Sequence, residues 1–536
     1  MFCAQNNIGR KLFKEIYSMR NFKNKCKRYA ASSLPAITAI FVISTAYADQ
    51  DVLSLFPLDN YDQTISTWIK SSDPDFDKTL LSAEMQQKRL DMFNDHYFGP
   101  SSPWSSDYVN QILRQSQPDD LKTMELGIIN NFSNESKTGN DIGYGENFRP
   151  YAKDWIEGIA TNINSSQFDG LSYQSNNRGI AIDNLHARAL PTDDVHFYSY
   201  KIAGQGFPFD NLQMSALWAG TPVYIVGETR DHAWMLVITP DYIAWVKSSG
   251  IARTDTAFVR TWTAAAENKL AAITHTQTGI VDTKGIFLIS AYVGSVFPAT
   301  PLSTGLQLMI PVADTDHNAI IKNALVSYED AAPMPVAATP HNFANIMKTM
   351  IGRPYGWGGM YFDNDCSAEL KSLFTPFGIW LPRHSSDQLN VGKMVDMTSA
   401  SQDKRLSYLM ENGQRFLTLI YIGGHVILYV GNYPNPNKDS ALMAMTYQNV
   451  WGLSPNPPVR RAVIGKSVLF PMLLQYPEDT SLVSLAGKKY FQVSYLNQFP
   501  TPGLQMKQKG IDLKSLMYPE TSFVMMASNL INYLPL

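Results

Sequence analysis

Three cysteines stand in 536 residues, and two of them, Cys3 and Cys26, fall within a segment that reads as an export signal. That scarcity excludes an internal disulfide framework. It also argues against a zinc site, which needs three or four ligands from Cys, His or carboxylate side chains, and no metal ligand set is expected. Basic charge is short as well: 44 Lys and Arg against 47 Asp and Glu leave a net charge of −3. No dense run of Lys and Arg follows residue 28, so nucleic acid is not expected as a partner. Long apolar runs are missing too. No unbroken apolar run reaches the roughly 20 residues of a spanning helix.

What is present begins at the N-terminus. Residues 20–28 (RNFKNKCKR) are basic, 34–45 (LPAITAIFVIST) are apolar, and Ala46-Tyr47-Ala48 forms a small-x-small cleavage site before Asp49. Residues 1–48 therefore read as a secretory signal peptide, with Met19 a second start that leaves the same mature chain. The protein is expected to cross the inner membrane and to reach the periplasm or the outside without a stable membrane anchor. Cleavage removes eight basic residues and one acidic residue, taking the net charge to −10.

The texture of the chain then changes several times. Helix-like segments (DQTISTWIK, PDDLKTMELGIINNF, YAKDWIEGIATNI) dominate 49–180. Short alternating runs such as TPVYIVGE, AWMLVI, YIAWVK and LQLMIPVAD fill 181–335 and read as two small β-barrels. From 336 to 480 a helix (HNFANIMKTMIG) precedes a Gly-rich turn, a second helix and the strands RFLTLIYI, HVILYVG and ALMAMTY, an α+β layout. Residues 481–536 carry mixed signals. The fold class is thus multidomain: helical region, two barrels, α+β domain.

With the signal gone, one cysteine remains. Cys366 sits in DNDCSAELKSLF, where Asp363 and Asn364 are good N-cap types, Asp365 suits a first turn, and Leu370, Leu373, Phe374 and Phe377 recur at helical spacing. A thiol in the first turn faces unpaired backbone N–H groups and the positive end of the helix dipole, both of which favour thiolate. Its base must come from nine histidines. His425 follows Gly423-Gly424 and opens an alternating strand, which gives its ring a fixed aim, and His384 is the rival. The next strand turns polar at Gln448 and Asn449. An amide oxygen there can accept the second imidazole N–H and set the tautomer, with Gln448 the first choice.

These residues carry a resemblance. GRPYGWGGMYFDNDCSAEL resembles the nucleophile motif of the NlpC-type, papain-like cysteine peptidases, close to PYxWGG followed by DCSGL, and HVILYVG matches the histidine motif. Upstream, RALPTDDVHF and GQGFPFDNLQMSALWAGTPVYIVGETRDHAW resemble the first bacterial SH3 (SH3b) domain of secreted members, and Pro103-Trp104 echoes a loop of their stabilising domain. The resemblance implies a helical stabilising domain at 49–180, SH3b domains at 181–255 and 256–335, a peptidase domain at 336–480 and a C-terminal extension at 481–536.

It further implies a cofactor-free enzyme acting on peptidoglycan stem peptides or muropeptides. The bond cut would be γ-D-glutamyl to diaminopimelate or Lys, often next to a free L-Ala. Cys366 would attack, His425 shuttle the proton and Gln448 hold the third position. Tyr355 would line the cleft, while Asp365 with Ser367 would bind the L-Ala amine, joined from the barrel side by Glu228 or Trp234. Three positions depart from the family pattern: Ala368 for glycine, Gln448 for histidine, and Arg383-His384 in a rim loop. A cell-wall binding protein with weak or no catalysis, and a cysteine amidase or acyltransferase on the same scaffold, are the alternatives.

Overall fold

The computed structural model describes residues 52–435, 441–501 and 512–518; the segment 1–48 expected to be an export signal and most of the tail beyond 501 lie outside the described residues. Four longer helices build the N-terminal region: Ala83–Phe98, Ser106–Leu113, Leu121–Phe132 and Lys153–Ile163. Ser82, Ser105 and Asp120 open the first three by accepting a backbone N–H three residues on. The helices do not form a core of their own. Ile128, Phe132, Ile156 and Ile163 share one apolar cluster with Val226, Trp234 and Trp245 of the first barrel. The last three helices are therefore a buttress for that barrel, while Ala83–Phe98 packs through Phe93 and Tyr97 against Leu270 and Val296.

Seven antiparallel strands between Arg178 and Arg253 make the first barrel. One edge of its sheet is Gln213–Leu217, the strand nearest the Cys366 loop. The second barrel opens differently from the expectation that 256–335 is all β. Residues Thr256–Asn268 form a helix capped by Asp255, with Phe258, Trp262 and Ala266 buried at 3.6-residue spacing. A five-stranded sheet and the hairpin Thr278–Val281 with Phe287–Ala291 follow.

The α+β domain places two helices, Pro340–Met350 and Cys366–Phe374, against a seven-stranded sheet. Its order is Leu53–Leu55, Arg461–Met472, Leu442–Leu453, Val426–Pro434, Thr418–Tyr421, Gln492–Tyr495 and Lys393–Asp396. That order corrects two expected boundaries. Residues 53–81 belong with this domain and not with the helical one: Leu53–Leu55 pairs parallel to Arg461–Val463, and Phe56, Tyr61, Ile65, Ile69 and Leu81 are buried in its clusters. Likewise Gln492–Tyr495, placed in a C-terminal extension, is an inner strand between Thr418–Tyr421 and Lys393–Asp396. Four residues carry too little alternation to announce a strand, and only its two neighbours complete it.

Candidate active site

Cys366 is the first residue of its helix, and Asp365 is the N-cap. The cap thus falls one or two positions later than Asp363 or Asn364, because those side chains are used elsewhere: Asp363 pairs with Arg353 at 2.7 Å and Asn364 donates to Glu369 at 2.9 Å. Cys366, the one cysteine among the described residues, is buried at the end of the helix where N–H groups converge. The helix packs on both the Val426–Pro434 and the Leu442–Leu453 strands.

The loop before Cys366 explains its glycines. Gly358 and Gly359 have φ of 59° and 78°, and a Cβ on either would meet the backbone of Gln213 or Ala216 at 2.5 Å. Only glycine lets this loop lie against the edge strand of the first barrel. Gln213 holds it there by donating from Nε2 to the Gly358 carbonyl at 3.0 Å. Phe362 stacks on His186 of the same barrel, ring centroids 4.5 Å apart. Behind the helix, Lys371 forms an ion pair with Asp241 of the barrel.

His425 emerges from a two-residue hairpin loop. Gly423 and Gly424 take φ of 83° and 73°, as a type I′ turn needs, and the Ile422 N–H donates to the His425 carbonyl at 3.0 Å. Its Nε2 lies 2.8 Å from Oε1 of Gln448. The orientation of that amide follows from its other end. Gln448 Nε2 donates to Thr446 Oγ1 at 3.0 Å, and Thr446 Oγ1 donates to the Phe470 carbonyl at 2.6 Å. The Gln448 oxygen is thereby turned to His425, Nε2 carries the proton, and Nδ1 is left as the basic nitrogen. Loss of solvent around the ring drives its pKa down to about 4, against the upward pull of the Gln448 bond. At neutral pH the imidazole is uncharged and able to accept a proton.

Asn449, the second choice for this role, donates instead to the Asn364 carbonyl at 2.8 Å and so ties the glutamine strand to the Cys366 loop. His384, the rival histidine, is buried beside Asp387 at the start of a short helix. Tyr355 is half-buried, its N–H on the Gly465 carbonyl and its ring 6.1 Å from that of Trp451.

The substrate-binding expectations fare differently. Asp365 is filled: Oδ1 accepts from Ala368 N–H at 3.0 Å and Ser367 Oγ at 3.3 Å, and Oδ2 accepts from Gly358 N–H at 3.1 Å and from Arg383. A carboxylate has about four acceptor positions. No acceptor position remains for a substrate ammonium, so Asp365 and its partner Ser367 act as the cap and anchor of the loop. Glu228 and Trp234 are engaged within the barrel and its neighbours. Glu228 is paired with Arg253 and with His232 at 3.1 Å, and Trp234 is buried in the barrel core under the Lys247 ammonium.

In sequence, Arg383 stands out only as a departure from the family pattern in a rim loop. It is the hub of the nucleophile side, donating to Asp365, to Ser367 Oγ at 2.7 Å and, across the domain boundary, to Ser215 Oγ at 3.0 Å. Glu369 was also missed. It is buried among Tyr447, Ser467 and Asn364, and burial raises its pKa. A charged residue on an otherwise apolar helical face was the available signal for it. No group of His, Cys, Asp and Glu that could hold a metal occurs among the described residues.

A buried thiol at a helix start and a strand-borne imidazole bonded to an amide oxygen thus stand on one α+β scaffold. Residues 352–451 match the NlpC/P60 family, and 196–247 match the SH3 domain of SH3b1 type. The chain thus carries an NlpC/P60 domain behind an SH3b domain. It is similar to a solved NlpC/P60 endopeptidase from Photobacterium damselae subsp. piscicida, at TM-score 0.70 and 28% identity, over 82% of this chain and 98% of that one. Peptidoglycan endopeptidase RipB, from two strains of Mycobacterium tuberculosis, is 30% identical over 98 residues, 16% of this chain and 36% of RipB. This chain spans about a third of the length of those curated relatives.

Proposed function

We propose that this protein is an exported cysteine endopeptidase that hydrolyses the γ-D-glutamyl to diamino acid bond of peptidoglycan stem peptides. The observation that carries the reading is the His425 Nε2 to Gln448 Oε1 bond of 2.8 Å within the match to the NlpC/P60 family. The Cys366 thiol passes its proton to Nδ1 of His425 and the sulfur attacks the γ-glutamyl carbonyl. Negative charge developing on that oxygen meets the backbone N–H of Cys366 at the helix start. The imidazolium then gives its proton to the departing amine of the diamino acid. Water, deprotonated by the same ring, attacks the thioester and releases the glutamyl product.

Tyr355 is assigned to the wall of the cleft. The free L-Ala end, by contrast, has no carboxylate to meet it. Asp365 is filled, Asp363 is on Arg353 and Glu369 is buried. Peptides with free and with blocked L-Ala are therefore expected to be cleaved alike.

Digestion of synthetic L-Ala-γ-D-Glu-diaminopimelate, free and N-acylated, tests both statements by mass analysis. The expected product is the L-Ala-D-Glu dipeptide from the free form and its acylated counterpart from the blocked one, with none from Cys366→Ser. Activity surviving in Cys366→Ser sinks the mechanism. Transfer of the glutamyl group to an amine in place of water makes the protein an acyltransferase.

A further inference from the structure

A cavity of about 650 Å³ opens beside the Cys366 loop, walled by three separate parts of the chain. The helical region supplies a tight loop with Glu146 and Phe148, the first barrel supplies 195–207, and the nucleophile loop supplies Met360 and Tyr361. Its size is that of a small-molecule site. Phe148, Tyr200, Phe207 and Tyr361 line it and remain 69%, 56%, 64% and 69% exposed. Four aromatic rings turned to water around one hollow are unusual for a surface that binds nothing.

Two of these rings are held there at a cost. Phe148 and Tyr361 have φ of 59° and 57°, the left-handed region that bulky residues avoid. Phe362, next in line at 61°, buries its ring against His186 and so has a packing return. Phe148 meets only the rim ring of Tyr200, edge to face at 5.3 Å, and both Phe148 and Tyr361 stay largely exposed. The loop carrying Phe148 is nonetheless firmly built, with Tyr144 and Phe197 exchanging backbone bonds of 2.7 and 2.9 Å. Strain kept without burial points to a role in binding.

The lining also limits the ligand. Glu146 and Lys201 offset each other, so neither an acidic nor a basic ligand is favoured. Hydroxyls of Tyr200, Tyr361 and Ser199 sit among the rings, which suits an amphipathic ligand better than a lipid tail. A pyranose fits that description: its flat C–H face lies on the negative face of an aromatic ring and its hydroxyls bond at the edge. Position agrees. Phe209, two residues after Phe207, packs on Trp357 and Trp451 at 5.1 and 5.3 Å, one on the nucleophile loop and one just past Gln448.

We propose that this bowl binds the uncharged N-acetylated sugar rings of the glycan strand that carries the stem peptide, an inference that rests on the function proposed above. Filled Asp365 agrees with it, since a glycan-linked stem has no free L-Ala amine to recognise.

The test compares a disaccharide-linked stem peptide with the same peptide lacking sugar, for the wild type, Phe148→Gly and Tyr200→Ala. The ratio of KM for sugar-free over linked substrate is expected to fall about fivefold in each variant, the worth of one aromatic stack. Phe148→Gly relieves the left-handed strain, so its melting temperature is expected to hold, which separates lost binding from lost folding. Titration of N,N′-diacetylchitobiose into Cys366→Ala protein, followed by saturation-transfer NMR, reads the bowl without catalysis. Transfer to the sugar that weakens in Tyr200→Ala supports the proposal. No transfer, or an unchanged KM ratio, overturns it. Wild-type protein that cleaves neither substrate while still binding the disaccharide would remove the peptidase reading and leave the sugar site standing.

Discussion

Around Cys366 the polar groups are ionic and reach across two domains, whereas around His425 they are neutral and stay within one sheet. Asp365 and Arg383 form a buried ion pair that also engages Ser367 and the barrel residue Ser215. The His425 side is a single file of bonds, from imidazole to Gln448 to Thr446 to a backbone carbonyl. The first arrangement is redundant and positions a loop. The second has one bond per step and sets one proton. Damage on the first side should therefore appear in stability and domain docking, and damage on the second in turnover.

Arg383→Met sharpens this contrast most. It leaves the Asp365 charge buried without its cation, which costs about 3–5 kcal/mol. Urea unfolding is expected to show that loss, and a variant as stable as wild type would break the contrast. Gln448→Ala should leave the unfolding midpoint near wild type while lowering kcat about 100-fold, because His425 loses the acceptor that fixes its tautomer.

Thr446→Val acts one step further out. With the hydroxyl gone the Gln448 amide can turn its NH₂ towards His425, and kcat is expected to fall about tenfold. Thr446→Ser should restore it, which a purely packing role would not allow. The smallest effect concerns pH. Because the folded-state pKa of His425 is about 4, below its ordinary 6.5, the ring stays neutral and basic as pH falls. The acid limb of kcat/KM is expected near 4, and a limb near 6.5 would put the base elsewhere. The same shift means that the unfolded chain takes up this proton first. Its contribution to stability is thus present above pH 6.5 and is lost as pH falls towards 4.

Much of the site was legible along the chain. The lone cysteine behind a capping run, the double glycine before His425 and the change to polar residues at Gln448 are local signals, each expressing a backbone need within four or five residues. Arg383 was not legible as a partner of Asp365. Eighteen residues separate them, and the third member, Ser215, is 168 residues from Arg383. The same distance hid the edge strand at Leu53–Leu55 and the inner strand at Gln492–Tyr495, whose partners lie far off in sequence. Glu228 and Trp234, implied by the resemblance, have other partners for a related reason: which face of a barrel meets its neighbour is a matter of packing.

The amino-acid sequence by itself determined the helix start at Cys366, the turn before His425 and the amide position at Gln448, because helix capping, turn chemistry and strand alternation are short-range. The tertiary structure decided which charges were already spent. Asp365 looked open to a substrate until folding brought Arg383 and two backbone N–H groups around it, and an acceptor position can be used only once. The aromatic bowl belongs to the same category, since its three walls meet only when the helical region, the barrel and the nucleophile loop are packed together.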